Sequence, residues 1–110
     1  MSTQRETVDF ILLKLGEPER FSVRAMFGEY ALYADGKVVA LVCDDQLFVK
    51  ILPESKDLEN ICEKDAPYKG AKLHYVVEEG EISKLTELPE ILIDIARSLP
   101  AKKKKVKGSK

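Results

Sequence analysis

The stretch RAMFGEYALYADGKVVALVCDDQLFVKI, residues 24–51, decides the fold. Two acidic pairs, Asp35-Gly36 and Asp44-Asp45, separate apolar runs of strand length. Asp-Gly between such runs favours a two-residue type I′ turn, because both central residues need φ > 0. Asp44-Asp45 carries the same signal more weakly, since Asp tolerates left-handed geometry better than most residues. The spacing predicts a three-stranded antiparallel meander of Tyr30–Ala34, Val38–Cys43 and Leu47–Ile51.

The pleat sorts the meander's side chains. With two central residues in each turn, Tyr33 faces Val38 and Val42 faces Leu47 across the strands. Strict alternation then puts Tyr33, Val38, Ala40, Val42, Leu47 and Val49 on one face. Tyr30, Leu32, Val39, Leu41, Cys43 and Phe48 fall on the other. Antiparallel sheets with one wet face alternate apolar and polar residues. Here both faces are apolar. Either helices cover both, or one face meets another chain, and a set centred on Tyr30, Leu32, Leu41 and Phe48 is the more aromatic interface.

Outward from the meander, Thr3-Gln4-Arg5-Glu6 fits a capping box, and Val8, Ile11, Leu12 and Leu15 follow at helical spacing. Gly16 and Pro18 end that helix, expected over residues 3–15. Residues 22–27 are strand-like, and Gly28 marks a bulge or turn before Tyr30. Beyond Pro53, Ser55 is placed to cap a helix over 55–64. Leu73, Tyr75 and Val77 alternate as a strand. Leu88, Ile91, Leu92, Ile95 and Leu99 mark a last helix over 88–98. The expected class is α+β, two-layered, with a mostly antiparallel sheet and helices packed on it.

A chain of 110 residues with 45% hydrophobic side chains fits one domain that folds without disulfides or metal. No apolar run approaches the roughly 20 residues of a membrane span, so no membrane association is expected. Phe10–Leu13 is too short for a signal-peptide core. Cys43 and Cys62 form no Cys-x-x-Cys pair, which fits a reduced, cytoplasmic setting.

The net charge of −1 hides an asymmetry. Residues 1–100 hold twelve cationic and nineteen acidic side chains, a balance of −7. Residues 101–110 hold six lysines and no acid. Pro100 is a natural boundary, giving a domain over 1–100 and a Lys-rich tail expected to be disordered.

Arg24-Ala25-Met26-Phe27-Gly28, Tyr30, Leu32-Tyr33, Asp35-Gly36-Lys37, Ala40 and Leu47-Phe48-Val49-Lys50 together resemble the TfoX/Sxy competence-regulator N-terminal domain family. The order of helices and strands suits that family over roughly the first hundred residues. Glu29 and Ala31 stand where members often carry glycine. Longer members add a C-terminal domain, and the resemblance here is to the N-terminal domain alone. It implies a role in regulating DNA uptake and competence genes.

Catalytic constellations are poor. His74 is the one histidine and alternates away from Tyr75 and Val77 towards solvent. Metal binding needs denser Cys, His or carboxylate clustering, and the isolated glycines make no phosphate-cradling loop. No enzyme activity and no cofactor are expected. Arg24, Glu29 and Lys50 interrupt apolar strands, where a charge must reach water or find a partner. Arg24, Met26, Gly28 and Lys50 around Phe27, Tyr30 and Phe48 compose a candidate protein-binding surface, since aromatics and arginine are enriched there. The expected function is non-catalytic: a regulatory module that binds a protein partner or itself through an apolar sheet face. The alternative is nonspecific nucleic-acid binding through Lys102, Lys103, Lys104, Lys105 and Lys107. The body's charge of −7 opposes phosphate.

Overall fold

A computed structural model describes residues 3–26 and 28–99. Helix α1 (Arg5–Leu15) is followed by strands β1 (Phe21–Met26), β2 (Glu29–Ala34), β3 (Lys37–Cys43) and β4 (Gln46–Lys50). A 3₁₀ helix (Pro53–Leu58), β5 (Glu63–Asp65), β6 (His74–Val77), α2 (Glu79–Ile82) and α3 (Leu88–Ser98) complete the order. The six strands form one sheet in the order β1-β2-β3-β4-β6-β5, with every pairing antiparallel. The α+β class and the central meander are as the sequence predicts.

The hairpin turns take the expected geometry. Asp35 and Gly36 have φ of 51° and 84°, and Asp44 and Asp45 have 52° and 60°. Both pairs thus sit in the left-handed region that a two-residue turn with right-handed strand twist requires. The ladder beyond the first turn departs from simple alternation. Tyr33 pairs with Val38, but Leu32 pairs with Ala40, so β3 holds one residue more than β2. This β-bulge shifts the phase of β2 against β3. Tyr30 pairs with Val42, and Ala31 with Leu41.

Strict alternation therefore misassigns β2. Tyr30, Leu32 and Ala34 share a face with Ala40, Val42, Leu47 and Val49, and Leu32 is fully buried there. Ala31, Tyr33 and Val38 join Leu41 and Phe48 on the opposite face. The interface set of Tyr30, Leu32, Leu41 and Phe48 is divided between the two sides of the sheet.

All helices contribute to a single core on the Leu32 face. Val8, Ile11 and Leu15 of α1, Leu58 of the 3₁₀ helix, Ile82 of α2 and Leu92 and Ile95 of α3 pack there against Val42, Val49 and Tyr75. Ala31, Cys43 and Phe48 are buried outside that core. The described helices thus cover one face of the sheet, not both.

Each end of β3 holds a helix terminus. At its start, the Lys37 ammonium donates to the carbonyls of Ala96 and Leu99, both at 2.9 Å, at the C-terminus of α3. A cation there satisfies orphan carbonyls and complements the helix dipole. At its far end, Asp45 Oδ1 accepts from the Gln4 N–H at 2.7 Å and the Thr7 hydroxyl at 2.9 Å, at the N-terminus of α1. The expected Thr3–Glu6 capping box is not made. Thr3 instead donates to Glu29 Oε1, and Glu29 also accepts from the Asp44 N–H at 3.1 Å. A carboxylate from the turn does what the local sequence was expected to do. Asp35 has a further role, holding Arg20 through paired contacts of 3.0 and 2.7 Å. That guanidinium holds the Asp35 carboxyl below its usual range.

The helix expected over 55–64 is replaced by the 3₁₀ turn and an edge strand. Ser55 Oγ donates to the Lys50 carbonyl at 2.7 Å and accepts the Leu52 N–H at 3.0 Å, drawing the turn back against β4. Residues 63–65 then pair with the edge of β6 that β4 leaves open. A ladder partner far along the chain overrides local helical spacing. Helix α3 follows its apolar pattern, with Pro89 in the first turn, where a missing N–H costs least.

Two substitutions test the helix tethers. Lys37→Met takes the ammonium from the Ala96 and Leu99 carbonyls, leaving Ala96 only the Leu99 N–H at 3.3 Å, and should cost about 1–2 kcal/mol in urea unfolding, with m unchanged. At position 45, Asp45→Asn keeps an acceptor and tolerance of left-handed φ, whereas Asp45→Ala loses both. The alanine variant should be the less stable by about 1–2 kcal/mol; equal stability of the two would remove the proposed cap.

Candidate functional site: the open sheet face

The register places Arg24, Ala31, Leu41, Phe48 and Val76 in one row across the face that no described helix covers. Met26 and Glu29 form a neighbouring pair at one end, and Lys50 and His74 a pair at the other. The connection between β5 and β6 reaches over this row. Pro67 and Tyr68 meet Met26, Leu41 and Cys43 around a hollow of about 430 Å³. Tyr68 and Leu41 also border a second hollow of about 450 Å³, lined by Lys50, Ile51, Lys72, Leu73 and His74 among others. Leu41 and Tyr68 line both, so the two hollows adjoin on this face and together form a groove.

Large apolar side chains are exposed along it: Met26 at 41%, Tyr68 at 59% and Leu73 at 56%. A contiguous apolar surface is where docking is to be sought, whereas side chains exposed singly elsewhere, such as Leu13 and Ile61, are ordinary. Phe48 is buried on this side of the sheet and lines neither hollow, so it offers no contact surface.

The residues singled out in the sequence divide accordingly. Arg24 stands on the open face, its guanidinium 5.8 Å from the Tyr33 ring centroid. Met26 and Lys50 border the groove. Gly28, at φ 83°, belongs to the turn joining β1 to β2. Tyr30 packs on the helix-side core, with the Arg5 guanidinium 5.9 Å from its ring centroid. It also reaches the first hollow. Phe27 and the tail lysines lie outside the described residues. Glu29 is occupied by Thr3 and Asp44, so it serves the fold.

Tyr68, Leu73 and Lys72 were missed. Leu73 was expected to point inward with Tyr75 and Val77, but the strand starts at His74 and Leu73 stands out from it. The available signal was residues 66–73, punctuated by Pro67 and Gly70 as a loop yet carrying two large apolar residues, Tyr68 and Leu73.

The thiols are poor nucleophiles. Burial, reinforced by Glu29 and Asp44, pushes Cys43 up to about 11, and burial also raises Cys62. A protonated thiol neither attacks carbonyls nor binds metal readily. His74 Nδ1 lies 2.9 Å from the Lys72 carbonyl, which fixes the ring at the groove's edge. Among the described residues, no three His, Cys, Asp or Glu side chains cluster as metal ligands. No described helix is long and apolar enough to cross a membrane.

Comparison with known proteins agrees with the resemblance carried by the meander. A protein of Spirochaeta aurantia, described as an uncharacterized 12.7 kDa protein in the trpE 5′ region, is 33% identical over 103 residues. The match covers 94% of this chain and 89% of that relative. The family model for the TfoX N-terminal domain matches residues 14–90, from the end of α1 into α3 and across the whole sheet. On that match the chain belongs to the TfoX N-terminal domain family.

Proposed function

We propose that this protein is a non-catalytic regulatory module, connected with DNA uptake and competence genes, that binds a protein partner through the open face of its sheet. The observation that carries the reading is the unequal treatment of two apolar faces. One is buried under every helix, while the other leaves Met26, Tyr68 and Leu73 exposed around a groove. Family membership supports the regulatory setting. Aliphatic and aromatic groups with a few cations at the border have the composition of a protein contact surface. Nucleic-acid attraction through the lysine tail is the competing reading, and salt separates the two. Contacts made by apolar groups persist as salt rises, whereas phosphate contacts weaken steeply.

The test is affinity capture from native lysate at high salt, using wild-type protein, a version ending at Leu99, and a Met26→Asp/Leu73→Asp variant. Both substituted positions are exposed, so urea unfolding should be little altered. The first two proteins should retain the same partner, and the double variant should lose it. Retention by all three, or loss on removing the tail, would reject the open face as the contact. The non-catalytic reading also expects Cys43 alkylation at mildly alkaline pH to be far slower than for a free thiol, becoming fast only on unfolding.

A further inference from the structure

The half of the groove nearer β4 and β6 has a distinctive charge. Lys50, Lys72 and His74 stand among Leu41, Ile51 and Leu73, and no carboxylate is among the described lining residues of that hollow. This is unusual on a body whose first hundred residues carry −7. The nearest acid along the sheet is Asp65, cross-strand from His74, and one of its oxygens is taken by the Ala66 N–H at 2.7 Å. Beyond Leu99, which also borders the hollow, the sequence adds six lysines. That tail is repelled by the cationic border and does not suit the groove as its own occupant.

Resting on the open-face reading above, we infer that the groove receives an amphipathic helix of a partner protein, its apolar stripe on Leu41, Ile51 and Leu73 and its carboxylates on Lys50 and Lys72. The dimensions fit. From Met26 on β1 to His74 on β6 is four strand spacings across the sheet and four residues along it, a diagonal of about 23 Å. A helix of that length has about 15 residues, about four turns. A helix laid in a groove is held by apolar residues at i, i+3, i+4 and i+7. Charged flanks that match the border set register and direction. The aliphatic lining suits such a stripe better than the phosphodiester backbone of a nucleic acid, which needs cations along its whole path.

The experiment is selection of displayed helical peptides of about 15 residues against the full-length protein. Enriched peptides should repeat apolar residues at helical spacing and carry Asp or Glu beside them. A labelled peptide from that set should bind the wild type and lose at least tenfold in affinity to Lys50→Glu/Lys72→Glu. Its counterpart with Lys in place of the acids should show the reverse preference. Lys72→Glu alone, at an exposed position, should move both affinities in the same directions and guards against misfolding of the double variant. Neutral or basic selected peptides, no enrichment, or indifference to charge reversal would overturn the inference. So would displacement of the peptide by DNA oligonucleotides at equal concentration. If Met26→Asp/Leu73→Asp abolishes partner capture while the peptide results fail, the open-face reading stands and the acidic helix alone is rejected.

Discussion

One additional residue in β3 determines what each face of this sheet can do. The bulge opposite Leu32 and Tyr33 lets Leu32 and Ala34 join Val42, Leu47 and Val49 under the helices. It also turns Tyr33 and Val38 to the other side, beside Leu41 and Phe48. Without that shift, β2 would present Ala31 and Tyr33 to the helix layer and expose Leu32. Burying Leu32 instead removes an apolar side chain from water, worth about 2 kcal/mol. The core and the groove therefore have a common origin in the register of one hairpin.

The motifs that identify the family are mostly occupied with architecture. Lys37 satisfies the end of α3, Asp35 holds Arg20, and Phe48 is buried on the sheet's other side. The Asp44-Asp45 turn and Glu29 secure the start of α1 through Gln4, Thr7 and Thr3. Negative groups meet a helix N-terminus and a positive group meets a C-terminus, each the favourable sense of the dipole. The groove draws instead on less distinctive positions, Tyr68, Lys72 and Leu73, together with Lys50.

This division explains what could be read from the sequence. The two turns were legible because Asp-Gly and Asp-Asp announce positive φ in residue identity itself. Helix α3 was legible because its apolar stripe has one period. The bulge was not, because Val38-Val39-Ala40-Leu41-Val42 is apolar at every position and carries no alternation for an extra residue to disturb. Residues 55–64 misled because Leu58, Ile61 and Cys62 have helical spacing, while the decisive factor was an open strand edge at β6. The site was only half legible for a related reason. Arg24, Met26 and Lys50 stand out as oddities within strands, but Tyr68 and Leu73 gain meaning only from the sheet beneath them.

The helix tethers also order the events of folding. The Lys37 bonds join residues 59 and 62 positions apart, and the Thr3 and Gln4 contacts with Val42 and Asp45 span 39 and 41. The meander turns, by contrast, close between neighbours such as Ala34 and Lys37 or Cys43 and Gln46. Closing a loop costs more entropy as the loop lengthens, so the hairpins assemble at less cost than either helix docks. Strand β3 is then in place before its two ends acquire their helices. The long-range tethers act late, as a brake on opening, and losing the Lys37 tether should speed unfolding while leaving the folding rate nearly as it was.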